Sequence, residues 1–339
     1  MRTVSFLFLG IAVASAAQAG QQTSSRPGWH LQRTTNQAGD RETTTETEQL
    51  PDLDGKMAPV RETVVEVIKA GRIVQTSSKT FELGLSGQRR LAETRESTQD
   101  SSPDGGIHAT STTRRSDVNG RLAITERITE DTAITPDAHR SERTLQRPDL
   151  NGRLQPVQRT EFDERHVAPQ TVRATTTELH MDVNNRWQVT EVRNRDLRST
   201  GVTEETEETN RQRDLNGALW ERERIVSRLT NQDGQETLVI ERFTDDGHYP
   251  NSSSLRLTLS GRIRRTATTR ANGDREIVED VEERSPVASD DPIRLVRRTI
   301  EIVRRTGAGR SETNRQLFER DPNNRLVLTT VETEETTDR

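Results

Sequence analysis

The chain has no cysteine. That excludes disulfides, thiolate metal sites, a cysteine nucleophile and a lipid anchor on an N-terminal cysteine. Aromatic residues are only 3% of the 339 residues, and lysine is confined to Lys56, Lys69 and Lys79. So few aromatics leave nothing for the girdles of an outer-membrane barrel. Apolar bulk is also scarce: Leu, Ile, Val and Phe number 69 of 339, a fraction at the edge of the range in which chains stay disordered. Charge is balanced, with 50 basic and 55 acidic residues and a net charge of −5. Interspersed Arg and Glu give no basic stripe, so no nucleic-acid partner is expected.

One apolar stretch stands out, at the start. Arg2 supplies a positive end, Val4 to Ala16 an apolar segment too short to span a bilayer, and Ala17-Gln18-Ala19 a small-x-small cleavage site. Met1 to Ala19 therefore read as a signal peptide. Residues 20–339 are expected to be exported, secreted or periplasmic, without a transmembrane segment after leader removal.

What the chain does have is a turn signature. It recurs as Asp52-Leu53-Asp54-Gly55, Asp117-Val118-Asn119-Gly120, Asp149-Leu150-Asn151-Gly152, Asp182-Val183-Asn184-Asn185, Asp214-Leu215-Asn216-Gly217 and Asp321-Pro322-Asn323-Asn324. Asp first, Asp or Asn third and only Gly or Asn fourth is the chemistry of a type I turn whose fourth residue goes left-handed. Between strands, that is a three-residue hairpin loop with a bulge.

The fourth residues Gly55, Gly120, Gly152, Asn185 and Gly217 lie 65, 32, 33 and 32 residues apart. Leu85-Ser86-Gly87 divides the gap of 65, so one unit of about 32 residues spans the chain. A similar Leu259-Ser260-Gly261 falls 44 residues after Gly217, which reads as the next turn displaced by an insertion of roughly 12 residues. That inserted loop is placed at residues 244–254.

Half-way through most units comes a looser breaker, such as Gly39-Asp40, Ala70-Gly71, Pro136-Asp137, Ala168-Pro169, Thr200-Gly201 or Asp233-Gly234. Between breakers the chain is rich in Thr, Val, Ile, Arg and Glu and lacks the apolar recurrence of an amphipathic helix. The expectation is an all-β fold: an antiparallel β-hairpin repeat of some 16 to 20 strands of about 10 to 12 residues. Apolar alternation is confined to the start of the strands after the turns, as at Leu122 and Ile124 or Trp187 and Val189. A two-sheet sandwich needs a continuous apolar face. An elongated, largely single-layer meander is therefore expected, with a β-propeller or closed barrel as the alternative. The composition resembles the single-layer sheet of spirochaetal outer-surface lipoproteins, which also uses Thr and charged ladders.

Metal and catalytic motifs give little. If the fourth turn residue is set at position 6 of a calcium loop, no copy has acids at both ends; Glu126, Glu191 and Glu223 close loops opened by Arg115, His180 and Gln212. The six histidines form no pair at metal-binding spacing. No nucleophile elbow, phosphate loop or dinucleotide fingerprint occurs. No cofactor and no enzymatic activity are expected.

Asp117 to Leu122 and Asp149 to Leu154 carry an Asp-x-x-Gly-Arg-Leu run. In this the turns resemble the RHS/YD β-hairpin repeat family, whose hairpins coil into a large shell. The resemblance covers six residues per unit. The family's Tyr-Asp pair is absent, the only tyrosine being Tyr249, and its shell role is not carried over.

One segment breaks the pattern: Asp245, Asp246, His248 and Tyr249 gather carboxylates, an imidazole and a phenol in five residues. They form the candidate binding loop. The functional expectation is a non-enzymatic structural or binding scaffold of the bacterial envelope, with cell-envelope polymers or proteins as partners. A propeller-type binding protein is the alternative.

Overall fold

The computed structural model describes residues 21–26, 29–51, 54–84, 88–245, 257–285, 292–307, 310–321 and 323–337. The leader and the Leu85-Ser86-Gly87 breaker lie outside these residues, as do Asp246, His248 and Tyr249. Twenty strands of 6 to 15 residues make up the described chain.

The chain divides into two units. The first holds β1 (Gln21–Arg26), β2 (Trp29–Ala38), β3 (Arg41–Pro51), β4 (Met57–Ala70), β5 (Ile73–Leu83), β6 (Arg89–Ser101), β7 (Gly106–Ser116) and nearly all of β8 (Leu122–Ile134). The strands β9 (Ala138–Pro148) and β10 (Leu154–Ala168) contribute to both units. The second unit continues through β11 (Thr171–Met181), β12 (Trp187–Ser199), β13 (Thr203–Arg213), β14 (Leu219–Gln232), β15 (Gln235–Asp245), β16 (Leu257–Thr269), β17 (Arg275–Glu283), β18 (Arg294–Gly307), β19 (Arg310–Arg320) and β20 (Leu326–Thr337).

Pairing in both units is antiparallel between strands consecutive in the chain, from β1 to β8 and from β10 to β20. This is the expected hairpin meander. A four-stranded propeller blade would interrupt the ladder at every fourth strand, whereas the pairing in the second unit runs unbroken through eleven strands. The meander is open, so the propeller and closed-barrel alternative is set aside.

The sparse apolar content has a direct structural consequence. Among the described residues the buried apolar side chains are Ala174, Ala267, Ile277 and Val281, all in the second unit. Ala267 faces Ile277 across β16 and β17, and Ile263 faces Val281 beside them. In the first unit the buried side chains are Thr44, Thr94 and Thr112. Threonine takes the place of a core there: its methyl packs, and hydroxyls bond across the ladder in pairs such as Thr35–Thr44 at 3.1 Å and Thr63–Thr80 at 3.3 Å, while the buried Thr94 hydroxyl has no partner.

The turns are as the sequence spells them. Asp117 and Arg121 close the loop through Asp117 N–H to Arg121 C=O at 2.9 Å, and the Gly120 N–H donates to Asp117 C=O at 3.0 Å. The same pair of bonds recurs at Asp149, Asp182, Asp214 and Asp321. Gly55, Gly120, Gly152, Asn185, Gly217 and Asn324 all have positive φ, between 59° and 88°. The opposite turns are tighter: Ala38 faces Arg41, Ala70 faces Ile73 and Gln232 faces Gln235, leaving two-residue loops. Asp233 and Gly234 both take positive φ, at 52° and 77°, the signature of a type I′ turn.

A second periodic feature has no counterpart in the sequence reading. In eight pairings the register shifts and leaves one residue of the second strand unpaired: Val60, Ala92, Thr125, Thr190, Arg222, Ser260, Val296 and Thr329. Where the fourth turn residue is clear, this bulge comes five residues later. Four of the bulged side chains carry a hydroxyl, and each donates to the carbonyl of the opposing residue at which the ladder slips. These bonds are Thr125 to Thr113 (3.4 Å), Thr190 to Glu178 (3.1 Å), Ser260 to Arg242 (3.0 Å) and Thr329 to Leu317 (3.2 Å).

The bulges correct the placing of the insertion. Ser260 is a bulge within β16, so Leu259-Ser260-Gly261 is strand and not a displaced turn. Bulges at 222, 260, 296 and 329 are 38, 36 and 33 residues apart. The surplus is therefore shared between the β15–β16 and β17–β18 connections. Gly261 pairs with Arg242 on one side and Glu283 on the other, within the sheet.

Candidate binding surface

Each repeating turn is held by its own aspartate. Asp117 Oδ1 accepts the backbone N–H of Asn119 at 2.8 Å and of Arg121 at 2.9 Å. Asp149, Asp182 and Asp214 accept the two equivalent N–H groups in the same way. One oxygen of each of these carboxylates is committed to two backbone amides of its own turn. In two copies the second oxygen is also engaged. Gln188 Nε2 donates to Asp182 at 2.6 Å, and the Trp220 indole donates to Asp214 at 2.8 Å.

Those bonds lower both acids' pKa. The Arg186 N–H does most for Asp182, and partial desolvation opposes it; the Asn184 N–H, the Gln188 amide and the charge of Arg213 add to the lowering. For Asp214 desolvation pushes upward, and the N–H of Ala218, the Trp220 indole and the N–H groups of Asn216 and Gly217 outweigh it.

The fixed aspartate leaves the second turn residue pointing outward. Val118, Leu150, Val183 and Leu215 are 94%, 106%, 99% and 106% exposed. Arg121, Arg153 and Arg186, one residue past the turn, are exposed as well. In the remaining copy Ala218 holds that position, and a guanidinium comes instead from Arg213, which lies against Gly217 and donates to Gln188 at 2.7 Å.

The faces of the second unit carry ion-pair ladders. Arg262 stands between Glu241 (2.7 Å) and Glu282 (3.4 Å), Arg298 makes two bonds to Asp280 (2.6 and 2.8 Å), and Arg173 meets Asp196 (2.8 Å). Two-point contacts of this kind are what Arg offers and Lys does not. An open concavity of about 290 Å³ lies over β17 to β20, lined by Glu279, Arg297, Thr299, Arg315, Leu317, Thr330 and Glu332. Two Arg and two Glu leave it without net charge, and Arg297 and Glu279 already approach to 3.9 Å.

Of the candidate loop residues, Asp245 is placed at the end of β15, with its side chain 7% exposed and its carboxylate paired to Arg222. Arg222 is the bulged residue of β14. Asp245 thus ties a bulge to the neighbouring strand. Asp246, His248 and Tyr249 lie outside the described residues. Among the described histidines, His108 pairs with Asp131 at 2.6 Å and His180 with Glu178 at 2.8 Å. No cluster of three metal-ligating side chains occurs among the described residues, and no described helix is long and apolar enough to cross a membrane.

These features define a class: an open, antiparallel hairpin-repeat protein with capped turns and bulged strands. No family model matches the chain, and no curated protein matches it at a significant level. Among solved structures, a crystal structure of a porin-like protein from Bacteroides uniformis is similar over 82% of this chain and 96% of that chain, at 10% identity and a TM-score of 0.17. A likeness at that score carries no argument.

Proposed function

We propose that the chain is a non-enzymatic structural and binding scaffold of the bacterial envelope, secreted or periplasmic. The observation that carries this reading is the repetition. Turn, capping aspartate and exposed aliphatic tip return in four consecutive units, at Asp117, Asp149, Asp182 and Asp214, so one surface chemistry is presented several times. The leader-like Met1 to Ala19 segment supports export. Side chains with catalytic potential are engaged in structure: aspartates cap turns, and Arg and Glu face one another along the ladders.

A scaffold of this kind degrades by increments. Deleting residues 186–217 joins the turn after β11 to β14 and removes a single unit of about 32 residues. The expected result is a folded β protein that binds isolated envelope fractions with reduced avidity in a sedimentation assay. Complete loss of binding by a folded deletion variant would place function at one site and overturn the scaffold reading. A reporter active only outside the cytoplasm, fused to the full chain, should show activity; an inactive fusion would overturn the location.

A further inference from the structure

The two ends of the strands differ in chemistry. Turns of the Asp-x-Asn-Gly end carry Val118, Leu150, Val183 and Leu215 at their tips. Turns of the other end carry Asp40, Asp104, Asp137 and Asp233, with Val202 as their exposed aliphatic. A type I turn gains nothing from Leu or Val at its second position, where Pro is the favoured residue. One exposed aliphatic is unremarkable, but the same position filled by Leu or Val in five of the six copies, with Pro322 in the sixth, requires a reason outside folding.

Beside the tips stand cations. The exposed guanidinium groups of Arg121, Arg153 and Arg186 carry no ion pair among the described residues. Consecutive turns of this end are two strands apart, about 9.5 Å within a unit. Each therefore presents an aliphatic point with a guanidinium beside it, evenly repeated. A protein partner requires a contiguous apolar core to its interface, which separated tips do not form. A lipid surface requires none: aliphatic tips enter the interface while Arg meets phosphate at headgroup level.

We infer that in each unit, taken by itself, the Asp-x-Asn-Gly end of the strands docks on an anionic phospholipid bilayer. The inference deepens the scaffold reading by naming the partner of one end, and it is tested apart from it. The chain without Met1 to Ala19 is incubated with phosphatidylglycerol-containing vesicles and with phosphatidylcholine vesicles, then sedimented at low and high salt. Wild type should favour the anionic vesicles by about tenfold or more, and salt should weaken the preference. Joint replacement Val118→Ser, Leu150→Ser, Val183→Ser and Leu215→Ser should remove most of the binding while leaving the β spectrum and urea midpoint unchanged. Arg121→Gln with Arg153→Gln and Arg186→Gln should abolish the preference for anionic lipid, and Val202→Ser at the other end should have no effect.

Equal binding by wild type and the tip variant would overturn the inference. So would binding to delipidated envelope protein with none to vesicles, which would assign the tips to a protein partner. A chain that ignores vesicles yet keeps graded binding to whole envelope fractions on unit deletion loses this inference and keeps the scaffold.

Discussion

The two ends of the meander solve the same problem, reversing the chain, by different means. At one end the loops are mostly two or three residues long, and a side chain that helps holds a single amide, as Thr135 accepts the Ala138 N–H at 3.0 Å and Thr200 the Thr203 N–H at 3.2 Å; Gly71 takes φ 61° at the first loop position, and Asp233 and Gly234 form a type I′ pair. At the other, an aspartate captures two amides, the fourth residue goes left-handed, and five residues on the strand bulges. Minimal turns suffice to build a sheet. The end with the elaborate turns is the one that repeats an aliphatic tip, so elaboration and exposed apolar chemistry travel together.

The comparison breaks first at the left-handed residue. Gly152 has φ 77° and open space where a Cβ would go, so the cost of Gly152→Val is backbone strain alone, about 1–2 kcal/mol. A urea melt measures it. Wild-type stability for the variant would remove the left-handed requirement from this end.

Next comes the capping carboxylate. Asp149→Ala frees the N–H groups of Asn151 and Arg153 and should cost about 1 kcal/mol, while Asp40→Ala at the opposite end should stay within about 0.5 kcal/mol. Equal effects at the two positions would erase the distinction. Acid reads the same caps. Asp182 and Asp214 are held below the ordinary value of 3.8, so their stabilisation is complete above that pH and is lost as pH falls through the lowered values. The urea midpoint should therefore fall below about pH 4. Joint Asp182→Asn and Asp214→Asn substitution should flatten that fall.

The turns were legible in the sequence because their chemistry is local: Asp117, Asn119 and Gly120 each answer to a bond or a φ within four residues. The single open layer was legible too, since 69 residues of Leu, Ile, Val and Phe cannot cover both faces of twenty strands. The bulges were not. A residue left out of register can be Val60, Ala92, Arg222 or Thr329, because what defines it is the mismatch between two strands and not its own side chain. That gap produced the one misplacement. Leu259-Ser260-Gly261 resembles Leu85-Ser86-Gly87, but its place is set across the sheet, where Gly261 pairs with Arg242 and Glu283. The same misplacement hid the Ala271-Asn272-Gly273 loop, where Gly273 has φ 85°. Asp245 was legible as an unusual acid and not as a strut, since its partner Arg222 is fixed by the bulge.

A smaller effect is expected at the bulges. Thr190→Val keeps shape and removes the hydroxyl bond to the Glu178 carbonyl, at a cost of roughly 0.5–1 kcal/mol. Val60 offers the converse, because it occupies the same place without a hydroxyl. Val60→Thr should stabilise the first unit by a similar amount, measured as a shift in urea midpoint. No change in either direction would reduce the hydroxyl bond to an accompaniment of the bulge.

The smallest effect is also the one on which the contrast between the ends depends. Leu215 is 106% exposed, so Leu215→Ser removes no buried area and should leave stability within about 0.5 kcal/mol of wild type. Leu197 on β12 is part of the sheet surface and faces Val172 and Thr206 on the adjoining strands; Leu197→Ser should cost clearly more in the same melt. If Leu215→Ser proved as costly as Leu197→Ser, the tip would be packed and its aliphatic character would be explained by folding. The lipid inference would then lose its ground. If the two separate as expected, the aliphatic tips contribute to something other than stability, and vesicle binding becomes the measurement that distinguishes one end of the strands from the other.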